Sequence, residues 1–491
     1  MFSHRQMILS LLVLGIVSVG YSQTNSESAL DAALGTIAAE DLMRNVRHLA
    51  SEEFEGRLSG GEGYNGAARW VAEQFASCGL KPAGDAETYF QHFDVEYNEI
   101  LSPARLNVVV ADSVQHAYTI GEDFVARGFS GQGLMTAPVV FCGYGVRSLE
   151  NDYDDYSGVE VRDKIVMVLK GAPSWEADWG DARWPRVKAQ TAHEQGAIGM
   201  LLVSEPHKER SAALVGSVFH GPGEQLLNFP ALHISQKAAA DFLSRSGKGL
   251  TEVQTIIDRA RRPHSFPLEL EAHIEIHVRY RKRQGTMNVL GLWEGADPEL
   301  KDTCVLVGAH LDHVGSQAEA ITFPGANDNA SGVSALLEIA RAFSGARLSP
   351  QRSLLFIAFS AEEQGLYGSR FYAAHPVVPL DRTVAMINID CIGAGEGMRV
   401  GGGQDYPHFY RRVLTVNEKS TQFDLPQSDA GGGADAAPFH ERGIPNLYFA
   451  TTKGYAHLHQ ISDTPETLNP ELFEKAARLT FLTLWTVANE K

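Results

Sequence analysis

The residues best suited to catalysis or metal binding fall in five short segments of the carboxy-terminal half of the chain. The segments are AHLDHVG, PGANDNASG, SAEEQG, NID and HLHQISD, and they hold the candidates His310, Asp312, Asp328, Glu362, Glu363, Asp390, His457, His459 and Asp463. Each segment alone is weak evidence, because an Asp before a helix often serves as an N-cap and a Glu pair often complements a helix dipole. Together they predict a crevice that is crowded with carboxylates and imidazoles.

Carboxylates clustered this closely would repel one another unless cations were bound among them. Two histidines and three carboxylates without thiolates suit zinc or a neighbouring divalent metal. Five ligands are too many for one open tetrahedral metal site, but they are enough for two sites if one carboxylate bridges the two metals. Two metals ~3.5–4 Å apart can activate a water and stabilise an oxyanion. One of the two adjacent glutamates would then bind metal while the other acts as general base.

The elements that must position these groups are strands buried on both faces. DTCVLVGAH, SLLFIAFS, TVAMINID and PNLYFAT are nearly continuous apolar runs, as is typical of a parallel sheet. Helical stretches such as GVSALLEIARAF lie between them. The alternation predicts an α/β fold with a doubly wound, mostly parallel sheet. The polar segments follow the strands, at the edge where such sheets bind ligands.

A second, smaller α/β unit is predicted between residues 137 and 262. It combines the strands PVVFCGYGV, DKIVMVLKG, GAIGMLLVS and PALHIS with the helical stretch WPRVKAQTAHEQG. The segment LELEAHIEIHV follows and alternates apolar and polar residues like a half-buried strand. We therefore assign residues 30–136 and 268–491 to the main domain and residues 137–262 to an inserted domain.

Charge and the amino terminus exclude some functions. The chain carries 42 basic and 60 acidic residues, a formal charge of −18, without a basic block, which argues against nucleic acids and anionic membranes as partners. Residues 1–22 have the pattern of a cleaved signal peptide, and their apolar run is too short to span a membrane. We expect a secreted or periplasmic protein without a membrane anchor after cleavage. The four cysteines are either buried free thiols or include one disulfide, and the oligomeric state stays open.

The motifs AHLDHVG, GANDNASG, SAEEQGLYGS, NID and HQISDT, in this order, resemble those of the co-catalytic zinc aminopeptidases of the bacterial leucyl aminopeptidase and aminopeptidase Y kind. LASEEFEGRLSGGEG is similar to the start of that peptidase domain, and residues 137–262 resemble an inserted protease-associated domain. The resemblance implies a zinc-exopeptidase-like fold, two Zn²⁺ per chain, and peptide substrates that lose their amino-terminal residue.

The resemblance also implies a role for each metal ligand. His310 and Asp390 would bind one ion, Glu363 and His459 the other, and Asp328 would bridge both. A cis peptide bond is implied directly after Asp328.

Further roles are implied around these ligands. Glu362 matches the general base, and Asp312 matches the carboxylate that orients the ring of His310. His457 either stabilises the oxyanion or lies at the rim. Where relatives often have Ser-Asp-His, this chain has Ala-Asp-Ala at 434–436, so the usual hydrogen bonds of that loop are in doubt.

The family resemblance places Cys391 and Leu458 beside the pocket for the first substrate side chain. Phe439 and Phe449 either add aromatic walls or pack in the core. An uncharged pocket favours leucine or phenylalanine over ionised side chains.

Four other functions compete with an aminopeptidase. A glutamate-type carboxypeptidase needs a cation for the terminal carboxylate, and Arg370 and Arg399 are the arginines near the motifs. A glutaminyl cyclase on this fold uses one metal, and the complete ligand set argues against it. Another two-zinc hydrolase and a non-catalytic receptor-like homologue are the remaining alternatives, but the receptor would be expected to have lost ligands.

Overall fold

The structure, a computed structural model, describes residues 28–111, 113–207, 214–216, 221–452 and 455–490. The predicted signal peptide lies outside these residues. Within the described ranges, no helix combines the length and apolar character that crossing a membrane requires.

The described residues form strands and helices that we number in chain order. The strands are β1 (Lys81–Pro82), β2 (Phe90–Val110), β3 (Ser113–Tyr118), β4 (Phe124–Ala126), β5 (Gly133–Cys142), β6 (Arg147–Ser148), β7 (Tyr153–Asp154), β8 (Ile165–Leu169), β9 (Gly199–Val203), β10 (Ala231–Ile234), β11 (Ser265–Trp293), β12 (Cys304–His310), β13 (Ser316–Gln317), β14 (Ile321–Thr322), β15 (Ser353–Phe359), β16 (Thr383–Ile389), β17 (Gly397–Gly401) and β18 (Asn446–Thr452). The helices are α1 (28–36), α2 (Ala39–Leu49), α3 (Glu62–Ser77), α4 (Pro185–Glu194), α5 (Gln236–Ser244), α6 (Leu250–Ala260), α7 (Gly332–Gly345), α8 (Tyr367–Ala374), α9 (Pro407–Val416), α10 (Ala437–His440) and α11 (Pro470–Ala488).

The main sheet has the order β17-β18-β16-β12-β15-β11. Its four central strands are parallel, and β17 and β11 flank them in antiparallel orientation. Every residue of β12 and β15 is buried, as their continuous apolar sequences predict. Apolar residues of α2, α3, α7 and α11 cover one face of the sheet, and those of α8 and α10 cover the other. The predicted α/β fold with helices on both faces is confirmed.

The sheet continues through β11 into the second unit, in the order β11-β5-β8-β9-β10-β4. Its strands β5, β8, β9 and β10 are parallel. Helix α4 packs on one face of this sheet, and α5 and α6 pack on the other. The predicted strands and helix of the smaller unit are therefore present.

Strand β11 belongs to both units, because it joins the two parts of the sheet. The first half of β11 pairs with β5, and its last residues pair with β15. Burial alternates from Leu268 to Ile276, as the apolar pattern predicts. The strand also pairs with β2 along most of its length, so a long antiparallel ribbon joins the two units.

A side-chain contact fixes the second unit beside the loop that follows β12. Gln317 accepts a hydrogen bond from the backbone N of Ala126 (2.9 Å) and donates one to its carbonyl oxygen (2.8 Å). Val125 of β4, the strand that pairs with β10 of the second unit, packs with Val215 and with Phe323 of that loop. The second unit therefore lies next to the carboxyl ends of the main parallel strands.

Candidate metal centre and cleft

The five predicted metal ligands come together where the parallel strands end. His310 is the last residue of β12, Asp390 follows β16, and Glu363 lies shortly after β15. Because β12 is parallel to both β15 and β16, these strand ends meet at one edge of the sheet. Asp328 reaches the same place from the turn before α7, and His459 from the loop after β18.

Asp328 lies between two groups of side chains. Its Oδ1 is 3.3 Å from His310 Nε2, which is also 3.3 Å from Asp390 Oδ1. Its Oδ2 is 3.0 Å from His459 Nε2, which is 3.0 Å from Glu363 Oε2. The two oxygens of one carboxylate thus face two separate sets of nitrogen and oxygen donors.

The backbone around Asp328 is held by a second carboxylate. Asp463 Oδ1 accepts a hydrogen bond from Asn327 N (2.8 Å), and its Oδ2 accepts one from Asp328 N (3.2 Å). Tyr455 in turn donates its hydroxyl proton to Asp463. The peptide bond between Asp328 and Asn329 is cis, which confirms what the resemblance implied.

Asp312 contacts the glutamate pair more closely than it contacts His310. Its carboxylate accepts hydrogen bonds from the backbone N of Glu362 (3.1 Å) and of Glu363 (3.2 Å). His310 Nδ1 is 3.1 Å from the backbone oxygen of Asp312 but 3.8 Å from its carboxylate. The Asp312 side chain therefore fixes the turn that carries both glutamates, and its backbone oxygen faces the imidazole.

The cluster carries more negative charge than its own side chains balance. Burial lowers the pKa of His310, but Glu362, Asp328 and Asp390 outweigh it and raise that pKa well above the ordinary value. Burial raises the pKa of Glu362 well above its ordinary value. The five predicted ligands comprise three carboxylates and two imidazoles, so these five carry a net negative charge even with both imidazoles protonated. Oxygen and nitrogen donors with an unbalanced negative charge fit divalent cations such as zinc.

Sequence reasoning missed His313, a third histidine of the cluster. Its ring is fully buried, and its Nδ1 lies 2.9 Å from Glu363 Oε1 and 3.7 Å from Asp328 Oδ2. Nδ1 of His313 and one oxygen each of Asp328 and Glu363 lie close enough together to hold an ion. His313 follows Asp312 directly in the segment AHLDHVG, and this position was the feature of the sequence that could have indicated its role.

Arg57 was also missed, although it lies in the predicted segment LASEEFEGRLSGGEG. It is fully buried and donates hydrogen bonds to the carbonyl oxygens of Leu49, Leu311 (2.8 Å), Pro324 (2.8 Å) and Gly325 (2.8 Å). Burial lowers its pKa to about 10, so the guanidinium stays protonated at neutral pH. Arg57 thereby ties together the segments that lead to His310 and Asp328.

The loop with the unusual Ala-Asp-Ala sequence lies next to the cluster. Asp435 is fully buried, and burial raises its pKa to about 7. The nearby carboxylates of Asp312 and Asp390 raise this pKa as well. The alanines at 434 and 436 offer no polar side chain to this carboxylate.

A cleft of about 1410 Å³ opens over the cluster, between the main sheet and the second unit. The predicted pocket residues Cys391 and Leu458 both line it, and Leu458 is 43% exposed. Lys170 and Trp184 of the second unit also line the cleft. Substrate would therefore contact both units.

The other residues predicted around the pocket are placed differently. Phe439 and Phe449 are fully buried in the core and are not among the cleft residues. His457 Nδ1 lies 2.8 Å from Ser462 Oγ, and His457 is outside the cleft lining in the described structure. Tyr448, which the sequence did not single out, lines the cleft and donates its hydroxyl proton to Asp390 Oδ2 (3.0 Å).

Parts of the chain match proteins that are already known. Residues 288–484 match the model of peptidase family M28, and residues 135–242 match the PA domain. Aminopeptidase YwaD of Bacillus subtilis is 31% identical over 209 residues, which is 40% of this chain and 43% of that protein. The glutamate carboxypeptidase 2 homolog of Caenorhabditis briggsae is 25% identical over 457 residues, 75% of this chain and 56% of that protein. The chain spans between about a third and just over half of the curated relatives that it matches.

The solved aminopeptidase from Aneurinibacillus sp. strain AM-1 has the same fold. It superposes with a TM-score of 0.65 at 20% identity, over 94% of this chain and 97% of that chain. The chain therefore contains a segment that matches peptidase family M28 and a segment that matches the PA domain, in line with the resemblance seen in its sequence.

Proposed function

We propose that this protein is a two-zinc aminopeptidase that removes apolar amino-terminal residues from peptides. The observation that carries the proposal is the position of Asp328, whose two carboxylate oxygens face two different histidines at 3.3 and 3.0 Å. A bridging carboxylate needs this division, whereas a carboxylate of a single metal site does not.

In this proposal His310 and Asp390 would hold one zinc ion, Glu363 and His459 would hold the other, and Asp328 would contribute a ligand to both. Bound zinc would polarise the scissile carbonyl and acidify water. Glu362 lines the cleft beside these residues, and Asp312 fixes its backbone. Its carboxylate accepts the proton of the attacking water and passes it to the leaving amine.

Tyr448 is the better placed candidate for stabilising the oxyanion. Tyr448 lines the cleft, whereas His457 is not among the described cleft residues. The hydroxyl proton of Tyr448, which is donated to Asp390 in this structure, would turn to the oxyanion when substrate binds. A hydrogen-bond donor aimed at the developing negative charge typically contributes ~2.7–4 kcal/mol.

Cys391 and Leu458 would border the side chain of the residue that is removed. Burying a leucyl side chain there gains ~1.5–3 kcal/mol, whereas an ionised side chain meets no partner on these two walls. The zinc site, the boundaries 30–136, 137–262 and 268–491, and secretion into the periplasm or medium belong to the same proposal.

One observation favours a glutamate-type carboxypeptidase as a second candidate. Arg399 lines the cleft, and its guanidinium carbon lies 5.2 Å from the ring centroid of Tyr448. Its contact with Asp429 is long, at 3.6 Å, and both side chains are substantially exposed. Arg370 instead pairs with Glu441 (2.9 Å). A relative named as a glutamate carboxypeptidase homolog also aligns with most of this chain.

Metal analysis together with two substrate panels tests the proposal. We expect two zinc ions per chain, rapid hydrolysis of leucine amides, and no release of glutamate from peptide carboxyl termini. Glutamate release without action on leucine amides would favour the second candidate. A metal-free protein without activity on either panel would contradict both.

A further inference from the structure

His313 lies beside His459, with the two ring centroids 5.7 Å apart, and both histidines contact the carboxylate of Glu363. Its Nδ1 is 2.9 Å from Glu363 Oε1, whereas His459 Nε2 is 3.0 Å from Glu363 Oε2. The distance from His313 Nδ1 to Asp328 Oδ2 is 3.7 Å, too long for a hydrogen bond. Each of the two histidines therefore faces a different oxygen of the Glu363 carboxylate.

The protein fixes this imidazole from several directions. The backbone N of His313 donates to the carbonyl oxygen of Arg57 (3.1 Å), and the ring is fully buried. Gly325 packs so closely that a Cβ on it would come within 2.5 Å of His313 Cγ. The backbone at Gly325 therefore packs directly against the ring.

The surroundings of the second ring nitrogen decide where the proton is. Nε2 of His313 is buried without a hydrogen-bond partner among the described residues. A proton on Nε2 would be an unpaired buried donor and would leave the Nδ1 lone pair facing the Glu363 oxygen, which is costly. A proton on Nδ1 avoids both problems.

We infer that His313 is a positioning residue that donates its Nδ1 proton to Glu363 Oε1 and thereby aims Oε2 at the metal position shared with His459 and Asp328. The inference rests on the proposed two-metal site. Outer hydrogen bonds of this kind hold a ligand in its binding orientation, and losing one typically costs ~10–100-fold in metal affinity.

Two substitutions separate hydrogen bonding from packing. His313→Asn keeps a donor, Nδ2, at about the place of Nδ1 but removes most of the ring. His313→Phe keeps the ring but has no donor. Zinc affinity is measured by competition with a chromophoric chelator, with His440→Phe, at a partly exposed histidine, as the matched control.

We expect His313→Phe to bind one of its two zinc ions ~10–100-fold more weakly, with His313→Asn close to the wild type and His440→Phe unchanged. Weak binding by His313→Asn together with normal binding by His313→Phe would overturn the inference in favour of packing. Equal affinity in both variants and the wild type would overturn it while leaving the two-metal proposal intact.

A spectroscopic measurement distinguishes positioning from direct ligation. Cobalt(II) absorption bands report the ligands of the metal itself, so the bands of cobalt-loaded His313→Asn should keep the wild-type positions. Shifted bands would make His313 a ligand and overturn the positioning role. A wild type that binds fewer than two ions would instead overturn the proposed function and this inference together.

Discussion

Replacing Arg57 by methionine should weaken both the fold and the metal centre. The guanidinium donates to four carbonyl oxygens in segments that are distant in the sequence, at the end of α2, after β12 and before Asp328. Methionine retains much of the apolar stem but none of the donors, so these buried oxygens would lose their charged partner.

The expected loss in the free energy of unfolding follows from those contacts. Hydrogen bonds to a charged donor contribute ~1.5–3 kcal/mol each, or roughly 6–12 kcal/mol for four. Removing a buried charge returns several kcal/mol of desolvation cost, so we expect a net loss of ~3–5 kcal/mol in the free energy of unfolding. For a chain of this length, that loss lowers the thermal midpoint by ~3–5 °C.

Scanning calorimetry and zinc titration measure the two effects. Arg44→Met is the matched control, because Arg44 forms an exposed pair with Asp41 and should shift the midpoint by less than ~1 °C. Arg57→Lys, which keeps the charge but not the fork of donors, should fall between Arg57→Met and the wild type. An Arg57→Met protein with an unchanged midpoint and unchanged zinc affinity would refute the structural role given to this arginine.

Further predictions concern the site itself. Glu362→Gln should lower turnover by ~10²–10⁴-fold while two zinc ions stay bound, and loss of zinc would make Glu362 a ligand instead. Asp328→Asn should weaken both zinc ions together and His459→Ala mainly one, as measured by titration; two tightly bound ions in Asp328→Asn would exclude bridging. Leucine and phenylalanine amides should be cleaved at least ~10-fold faster than aspartate or lysine amides, since each 1.36 kcal/mol corresponds to tenfold in rate; equal rates would exclude an apolar pocket. Arg399→Gln should leave leucine amide hydrolysis unchanged, and a large rise in its KM would show that Arg399 binds substrate.

The parallel strands and their polar ends were predictable because both follow from local chemistry. A strand such as β12, buried on both faces, must be apolar throughout, so its end is visible as the first polar residue, His310. Parallel strands then bring their ends to one edge, which allowed distant residues to be grouped into one site.

The long ribbon of β2 and β11, which joins the two units, was not predictable from local chemistry. The middle of β11 is polar and largely exposed, so its sequence lacks the apolar signal of a strand. Cross-strand ion pairs accompany this part of the ribbon, for example Arg279 with Glu99 (2.7 Å) and Arg283 with Asp94 (2.8 Å). Such pairs depend on the register between distant segments.

Arg57 and His313 were missed for a related reason. An arginine in a polar segment is normally exposed, and nothing local indicates that its partners are carbonyl oxygens up to 268 positions away. A histidine in a strand-end motif is equally compatible with a structural and a metal-site role. Their contacts exist only after the loops around the sheet have assembled.

Anomalous diffraction at the zinc absorption edge tests the central claim most directly. The account predicts two zinc peaks ~3.5–4 Å apart, with one oxygen of Asp328 directed at each. A single peak, or two peaks of which only one contacts Asp328, would contradict the proposed two-zinc centre.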